Sequence, residues 1–318
     1  MSDSSILQYC FRNSEALGQA LNARRRQTTI RQLSLKAFQC DLLLIESERI
    51  SFSFTHISSP LQVIGAKGKG CFEFSFILQP GQQDFFAHEL AIPQTTLFGF
   101  DPTREVNLIV PANSLICVAQ VPEAVFHLCA ELMQRNDLNA RFFKTNFVTI
   151  PDMINGVQVY LKNLYKVAVH HPKYLSETRS LPILEDFIPL LIESIPSAVP
   201  PLDLSLRSPR RFDLVKQAEE YMRTHLEAPI TLMSLCKALH ISKRPLNYGF
   251  QEVFGVSPMA YLKTLRLQAV RTQLQRADPK TTAIAEIANR FNFQSLGHFS
   301  RDYKTMFGEL PSETLKQV

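Results

Sequence analysis

Thr231-Leu-Met-Ser-Leu-Cys-Lys-Ala-Leu-His-Ile-Ser242 and Ala283-Ile-Ala-Glu-Ile-Ala-Asn-Arg-Phe-Asn-Phe-Gln294 are one pattern written twice, and that repetition decides the fold. Leu232, Leu235, Cys236 and Leu239 form an i, i+3, i+4, i+7 stripe, and Ile284, Ile287, Ala288 and Phe291 repeat it at an offset of 52. Such spacing puts one apolar face on each of two helices. A short turn follows each, His240-Ile241-Ser242 or Asn292-Phe293-Gln294-Ser295. A second helix comes next, striped by Leu246, Phe250 and Phe254, or by Phe299, Tyr303 and Phe307. Both units close alike, on Phe254-Gly255-Val-Ser-Pro258 and Phe307-Gly308-Glu-Leu-Pro311. Glycine supplies a left-handed cap, and Ser257-Pro258 reads as an N-cap with proline at the first helical position. Two helices, a tight turn and a cap, twice over, predict two helix-turn-helix motifs.

Between them Pro258–Ala277 reads as a long helix, with Leu262, Leu265 and Ala269 on one face and Lys263, Arg266 and Arg271 off it. About 18 helical residues give a strut of roughly 27 Å. Successive major-groove segments on one face of DNA lie about 34 Å apart, so a strut of this length suits two reading helices on one duplex. Charge agrees. Residues 210–318 carry a net +6 and residues 1–209 a net −1, so the whole basic excess sits in the last third, as expected of a polyanion-binding module joined to a neutral one.

In each motif the second helix is the reader, and its exposed N-terminal positions face base edges. These are Ser242, Lys243, Arg244, Asn247 and Tyr248 in the first motif, and Gln294, Ser295, His298 and Arg301 in the second. Arg244 has the bidentate donor geometry for guanine and Asn247 that for adenine; Lys243 suits a phosphate, and Ser242 is expected to cap its helix. Gly249 and Gly297 lie inside the reading helices, where each costs about 1 kcal/mol against Ala.

Across Arg211 to Leu315 the chain resembles the AraC/XylS family of transcription regulators. The resemblance is carried by Thr231–Ser242, Phe254-Gly-Val-Ser-Pro-Met-Ala-Tyr-Leu, Leu265-Arg-Leu, and Ile287-Ala with Phe293, His298-Phe-Ser-Arg and Phe307-Gly. The ending Phe307-Gly-Glu-Leu-Pro-Ser-Glu-Thr-Leu is most similar to the ethanolamine-utilisation regulators of that family. The resemblance implies a C-terminal domain that binds double-stranded DNA, an N-terminal domain for effector binding, homodimer formation or both, and contact with RNA polymerase as an activator. It also points to a small amine or cobalamin-type effector. Tyr248 departs from the polar or basic residue usual at its position.

The rest of the chain fits a sensory half. Residues 28–120 read as strands, among them Ile50–His56, Gln62–Ile64, Cys71–Leu78 and Leu108–Val110. Alternation is plain in Ser51-Phe-Ser-Phe54 and in Phe72-Glu-Phe-Ser-Phe76, whose Phe faces are expected to be buried. A β-rich barrel or sandwich follows. From Pro122 the period turns helical: Ala124–Arg135, Asp152–His170, with Val157, Leu161, Leu164 and Ala168 in step, and Pro182–Ser194. The expected class is therefore α+β. Residues 1–195 form a sensory and dimerisation domain, 196–210 a Pro/Ser-rich linker, and 211–318 the all-α DNA-binding domain.

At 318 residues, 45% apolar and 20% charged, the chain has ample core for two domains. Met1-Ser-Asp-Ser-Ser-Ile-Leu-Gln has no basic stretch before an apolar run, and the longest apolar candidate, Phe187–Ile195, is interrupted by Pro189 and Glu193. No secretory signal or membrane span is read, and a cytoplasmic location is expected. The six cysteines have no paired zinc-ligand spacing, and free buried thiols are expected. His56, His88 and His127 are far apart, without a His-x-His pair, and no nucleophile elbow or phosphate loop is present. No metal, cofactor or catalytic residue is therefore expected. The alternative class is a metal-dependent, cupin-like enzyme fused to a DNA-binding domain. Gly65-Ala-Lys-Gly-Lys-Gly70 reads as a hairpin turn, and Arg24-Arg25-Arg26 as a solvated basic run.

Overall fold

Phe52, Phe54, Phe72, Phe74 and Phe76 are all buried, so the alternation that marks their strands also marks a face that must be covered. The computed structural model describes residues 5–23, 27–150, 156–176, 184–197 and 211–316. The chain runs β1 (Ser5–Phe11), α1 (Ser14–Asn22), β2 (Gln27–Gln32), β3 (Cys40–Glu46), β4 (Ser51–Ile57), β5 (Leu61–Ala66) and β6 (Cys71–Gln79). It continues through β7 (Phe85–Ala87), β8 (Leu90–Ile92), β9 (Thr96–Phe98), β10 (Val106–Val110) and β11 (Ser114–Pro122). Then come α2 (Glu123–Leu132), α3 (Ala140–Thr145), β12 (Phe147–Thr149), α4 (Val157–His170), α5 (Pro172–Ser176) and α6 (Phe187–Ser194).

The strands make two antiparallel sheets, one ordered β1-β3-β4-β11-β6-β9-β12 and one ordered β2-β5-β10-β7-β8. Both are open, so the barrel half of the sequence expectation is corrected. The layers follow from side-chain parity, because neighbours along a strand point to opposite faces. In β3, Leu42 and Leu44 join the core between the sheets, with Ile30, Leu61, Phe85 and Val110 from the smaller sheet. Leu43 and Ile45 face the other way, with Phe52, Phe54, Phe74 and Phe76. That outer face is covered by helices, through Val157, Leu161, Leu164 and Ala168 of α4 and Phe187, Ile188, Leu191 and Ile192 of α6. Phe187 meets Phe52 edge-on at 5.0 Å.

The smaller sheet has an outer face too. Phe86 and Ile109 alternate with the inward-facing Phe85, Ala87, Leu108 and Val110, and with Leu33 they pack on the C-terminal domain.

Several sequence expectations are revised. β1 and α1 precede residue 28, and β12 falls inside the stretch read as helical. The strand β5 pairs with β2 and β10 while β6 pairs with β9 and β11, so residues 65–70 carry the chain from one sheet to the other rather than closing a hairpin. Glycine is required at the start of that passage. At Gly65, φ is +138° and a Cβ would lie 2.1 Å from the Gln27 carbonyl oxygen. All six cysteines are unpaired, and Cys40, Cys117 and Cys236 are buried. Most of the linker and Arg24-Arg25-Arg26 lie outside the described residues. No described helix is long and apolar enough to cross a membrane.

Candidate nucleic-acid interface

The C-terminal residues form α7 (Phe212–Thr224), α8 (Leu232–Ala238), α9 (Lys243–Phe254), α10 (Pro258–Leu274), α11 (Ile284–Arg290), α12 (Leu296–Phe307) and α13 (Pro311–Lys316). The helix pairs α8/α9 and α11/α12 turn in the same way. His240 (φ 54°) and Asn292 (φ 62°) are the left-handed residues of the two turns, again 52 positions apart. The hydrogen bonds repeat as well. Ile241 N–H donates to Cys236 O at 3.0 Å, and Phe293 N–H to Ala288 O at 3.0 Å. Gly255 (φ 70°) and Gly308 (φ 79°) cap the reading helices, and Ser257 Oγ accepts from Ala260 N–H at the start of α10.

Helix α10 belongs to both motifs. Its first half, Tyr261, Leu262 and Leu265, completes the core of the first with Phe250 and Phe254. Its second half, Leu267, Val270 and Leu274, completes the other with Phe299, Tyr303 and Phe307. Tyr261 stacks on Phe254 with ring centroids 4.5 Å apart, and Lys263 is ion-paired to Asp302 of α12. Seventeen residues give a rod of about 26 Å. Because each reading helix is wedged against one rod, their relative placement is fixed by core packing rather than by a loop.

The one-faced reading of this strut is corrected, since it is buried on several sides. Thr264 is inside, its hydroxyl donating to Ala260 O. Arg266 donates from Nε to Leu226 O (3.0 Å) and from Nη2 to Ala228 O (2.6 Å), tying down the turn between α7 and α8. Arg271 pairs with Glu15 (3.0 Å) and Glu309 (2.7 Å). Tyr261 donates to Glu219 at 2.6 Å, and Arg223 binds the same carboxylate oxygen from α7. Burial pushes the Tyr261 hydroxyl pKa up, keeping it a donor.

The N-terminal ends of both readers are bare. Ser242, Lys243, Arg244 and Tyr248 are exposed, as are Gln294, Ser295, His298 and Arg301; Asn247 is half-buried. Ser242 holds the N-cap position of α9 without a side-chain cap bond, so the expected capping role is corrected and its hydroxyl is left toward solvent. Ser295 does cap α12, accepting from His298 N–H. Asn247 Nδ2 donates back to Lys243 O at 2.9 Å. Arg244 lies over the Tyr248 ring at 5.5 Å, and Arg211 over the same ring at 5.7 Å. Tyr248 thus props up two guanidiniums by cation–π contact, which suits a departure from a basic residue at that position.

The two glycines differ. A Cβ on Gly249 would stand 2.8 Å from Val215 Cγ2, so this glycine exists to let α9 approach α7, whereas a Cβ on Gly297 would meet nothing within 4 Å. Sequence reasoning missed Leu296, the first residue of α12, which is 44% exposed beside Ser295. Leu296 stands three residues before Phe299, in step with the apolar stripe, so spacing gives no sign of its exposure; an exposed side chain of this kind suits a thymine methyl group.

Two helix-turn-helix units braced on one shared helix, with both reading ends open to solvent, define a double helix-turn-helix DNA-binding domain. Residues 235–317 match the family model described as a helix-turn-helix domain. Relatives include the "Probable thc operon regulatory protein" of Rhodococcus erythropolis, 39% identical over 105 residues, covering 33% of this chain and 32% of that protein. Another is the "XylDLEGF operon transcriptional activator" of Pseudomonas putida, 33% identical over 98 residues, covering 31% of this chain and 30% of that protein. The chain thus spans about a third of the length of the curated relatives it matches. A solved structure titled as a probable AraC family transcriptional regulator from Rhodopseudomonas palustris CGA009 is 42% identical, covering 33% of this chain and 96% of that one, with a TM-score of 0.31. The C-terminal domain of this chain belongs to the AraC type of helix-turn-helix domains. Among the described residues no group of three or more His, Cys, Asp or Glu side chains is placed to hold a metal ion.

Proposed function

We propose that this chain is a sequence-specific, DNA-binding transcriptional regulator that acts as an activator. Residues 211–318 read two major-groove segments, and residues 1–195, joined through 196–210, receive an effector, form the homodimer, or both. RNA polymerase is the partner such an activator contacts. The observation that carries this reading is the pair of bare reading ends, Lys243–Tyr248 and Gln294–Arg301, held on one packed strut. Arg244 and Arg301 are proposed to read bases, Lys243 and the hydroxyls of Ser242 and Ser295 to hold phosphates, and Asn247, Tyr248, Gln294 and His298 to line the grooves. The relatives' names, an operon regulatory protein and an operon activator, support regulation over the enzyme alternative.

Genomic footprinting of the protein, followed by titration of one recovered site, tests the proposal. Arg301→Ala is expected to lower specific affinity by about 1–3 kcal/mol with the helical spectrum unchanged. Equal affinity of the folded variant and the parent for the footprinted site rejects the assignment of Arg301, and failure to recover any preferred site rejects the regulator reading itself.

A further inference from the structure

Two bodies that share one rod can still twist against each other, because core packing fixes each reading helix to its own half of α10. The Lys263–Asp302 pair opposes such a twist only from a partly exposed position, where ion pairs contribute little. A second tie away from the rod removes the freedom, and the turn between α7 and α8 supplies one. This turn, residues 225–230, belongs to the first motif: it leads into α8, and Ile230 is buried in the first core. Pro229 fixes one of its torsions, and Ala228 N–H donates to His225 O at 3.0 Å. Arg266 holds it to the middle of the rod through Leu226 O and Ala228 O. From there it reaches the second motif twice. Leu226 packs against both cores, the one around Phe250 and Tyr261 and the one around Phe299 and Tyr303. Asn292 Nδ2 donates to Glu227 O at 2.8 Å. Asn292 is the left-handed residue of the second turn, a place that glycine or asparagine can occupy. Of the two, only asparagine adds a donor that crosses to the other motif.

We propose that Asn292, acting with Leu226, is a positioning residue for DNA reading. The two lock the reading helices at one mutual angle, and so select the spacing between the two half-elements of the DNA site. Neither has to touch the duplex. One base pair added between the half-elements turns one groove by about 34° and moves it by about 3.4 Å relative to the other. A rigid pair of readers cannot follow that turn, whereas a pair free to twist about α10 follows part of it. The consequence for DNA rests on the function proposed above; the lock itself does not.

Two measurements on the full chain test this. Without DNA, nitroxide labels at Gln251→Cys on α9 and Lys304→Cys on α12 report the distance between the readers by pulsed electron resonance, with Cys10, Cys71 and Cys129 replaced by Ser. The parent is expected to give one narrow distance, and Asn292→Gly a distribution at least half again as wide. Asn292→Asp should widen it too, since a carboxylate tolerates the left-handed turn but cannot donate to Glu227 O. His240→Gly, the matching change in the first turn, removes no bond between the motifs among the described residues and should leave the width as it is. With DNA, the footprinted site is compared with the same site lengthened or shortened by one base pair between its half-elements. The parent is expected to lose about thirtyfold or more on either change, as base contacts fall out of register. Asn292→Gly should show a penalty at least threefold smaller. A mere loss of stability weakens all three sites alike and leaves that ratio unmoved. Distances as narrow in both Asn292 variants as in the parent overturn the lock. Wider distances with an unchanged spacing penalty overturn its part in reading DNA. If no preferred site is recovered, the regulator reading fails and the distances still decide the lock.

Discussion

Alanine placed at the two reading-helix glycines should move stability in opposite directions. At Gly249 the new methyl would lie 2.8 Å from Val215 Cγ2 and 3.2 Å from Arg211 Cβ. Val215 is 1% exposed, and as a β-branched residue held in a helix it has no second rotamer to retreat to. Overpacking of this kind costs about 1–3 kcal/mol. Removing a glycine from a helix returns about 1 kcal/mol, so Gly249→Ala should lose up to about 2 kcal/mol. At Gly297 nothing lies within 4 Å, and only the helical gain of about 0.5–1 kcal/mol remains. Urea denaturation of the full chain, followed by far-ultraviolet circular dichroism, should rank Gly297→Ala above the parent and the parent above Gly249→Ala. Titration of a footprinted site adds a second reading, because an open Gly297 at a reading end leaves room for a sugar–phosphate backbone. The more stable Gly297→Ala chain should then bind DNA more weakly. Two variants of equal stability, or a stabilised Gly249→Ala, would refute the packing argument.

Three further outcomes are expected. DNA affinity should fall steeply as salt is added, because phosphate contacts release counter-ions, and a flat response in filter binding would contradict the basic reading ends. Burial above all, with Arg104 and Lys67 nearby, pulls the His88 pKa down to about 4, so the folded chain holds this ring neutral while the unfolded chain protonates it near 6.5. The stability this gives is complete above pH 6.5 and is lost as pH falls from 6.5 towards 4. Allowing for partial exposure it amounts to about 1–2 kcal/mol, and the melting temperature of His88→Asn should lack that slope; Asn is chosen because φ is 49° there. Arg266→Met keeps the stem but strands the Leu226 and Ala228 carbonyls, and thermal denaturation should show a loss of about 1–3 kcal/mol.

Legibility followed solvent. Each reading helix has one dry and one wet face, so Leu246, Phe250, Phe299 and Tyr303 could be named from spacing alone, and all are buried. The Phe strands were legible for the same reason. β3 was harder, because Asp41-Leu-Leu-Leu-Ile45 is covered by one sheet on one side and helices on the other, and a strand buried on both faces shows no period. β1 fails in the opposite way. It is a sheet edge with no buried residue, and so offers no pattern. The cap on α9 was misread because Ser242 holds the right position without the bond that usually accompanies it. The cleft between β2 and α10 was invisible, since the residues that line it, Arg31 and Phe307 among them, come from opposite ends of the chain.

The polar side of the strut carries the remaining lesson. Charged positions off a stripe normally face water, yet here Arg271 reaches Glu15 across the domain boundary and Gln275 reaches the same carboxylate at 3.0 Å. Gln268 donates to the Gln32 carbonyl at 2.9 Å, and Lys216 pairs with Glu89. These bonds ring an apolar contact made by Leu33, Phe86 and Ile109. A face that is polar in sequence thus serves as a docking face, and its chemistry has a consequence. Leu33 and Phe86 are each 1% exposed and share one buried cluster with Phe212, Val215 and Phe250, so separating the two faces would uncover part of that core as well as part these bonds. The rod that aligns the reading helices is the same rod that rests on β2. On the function proposed above, a displacement of β2 would be passed to both reading ends through one rigid body, with no need for a chain of small rearrangements between them.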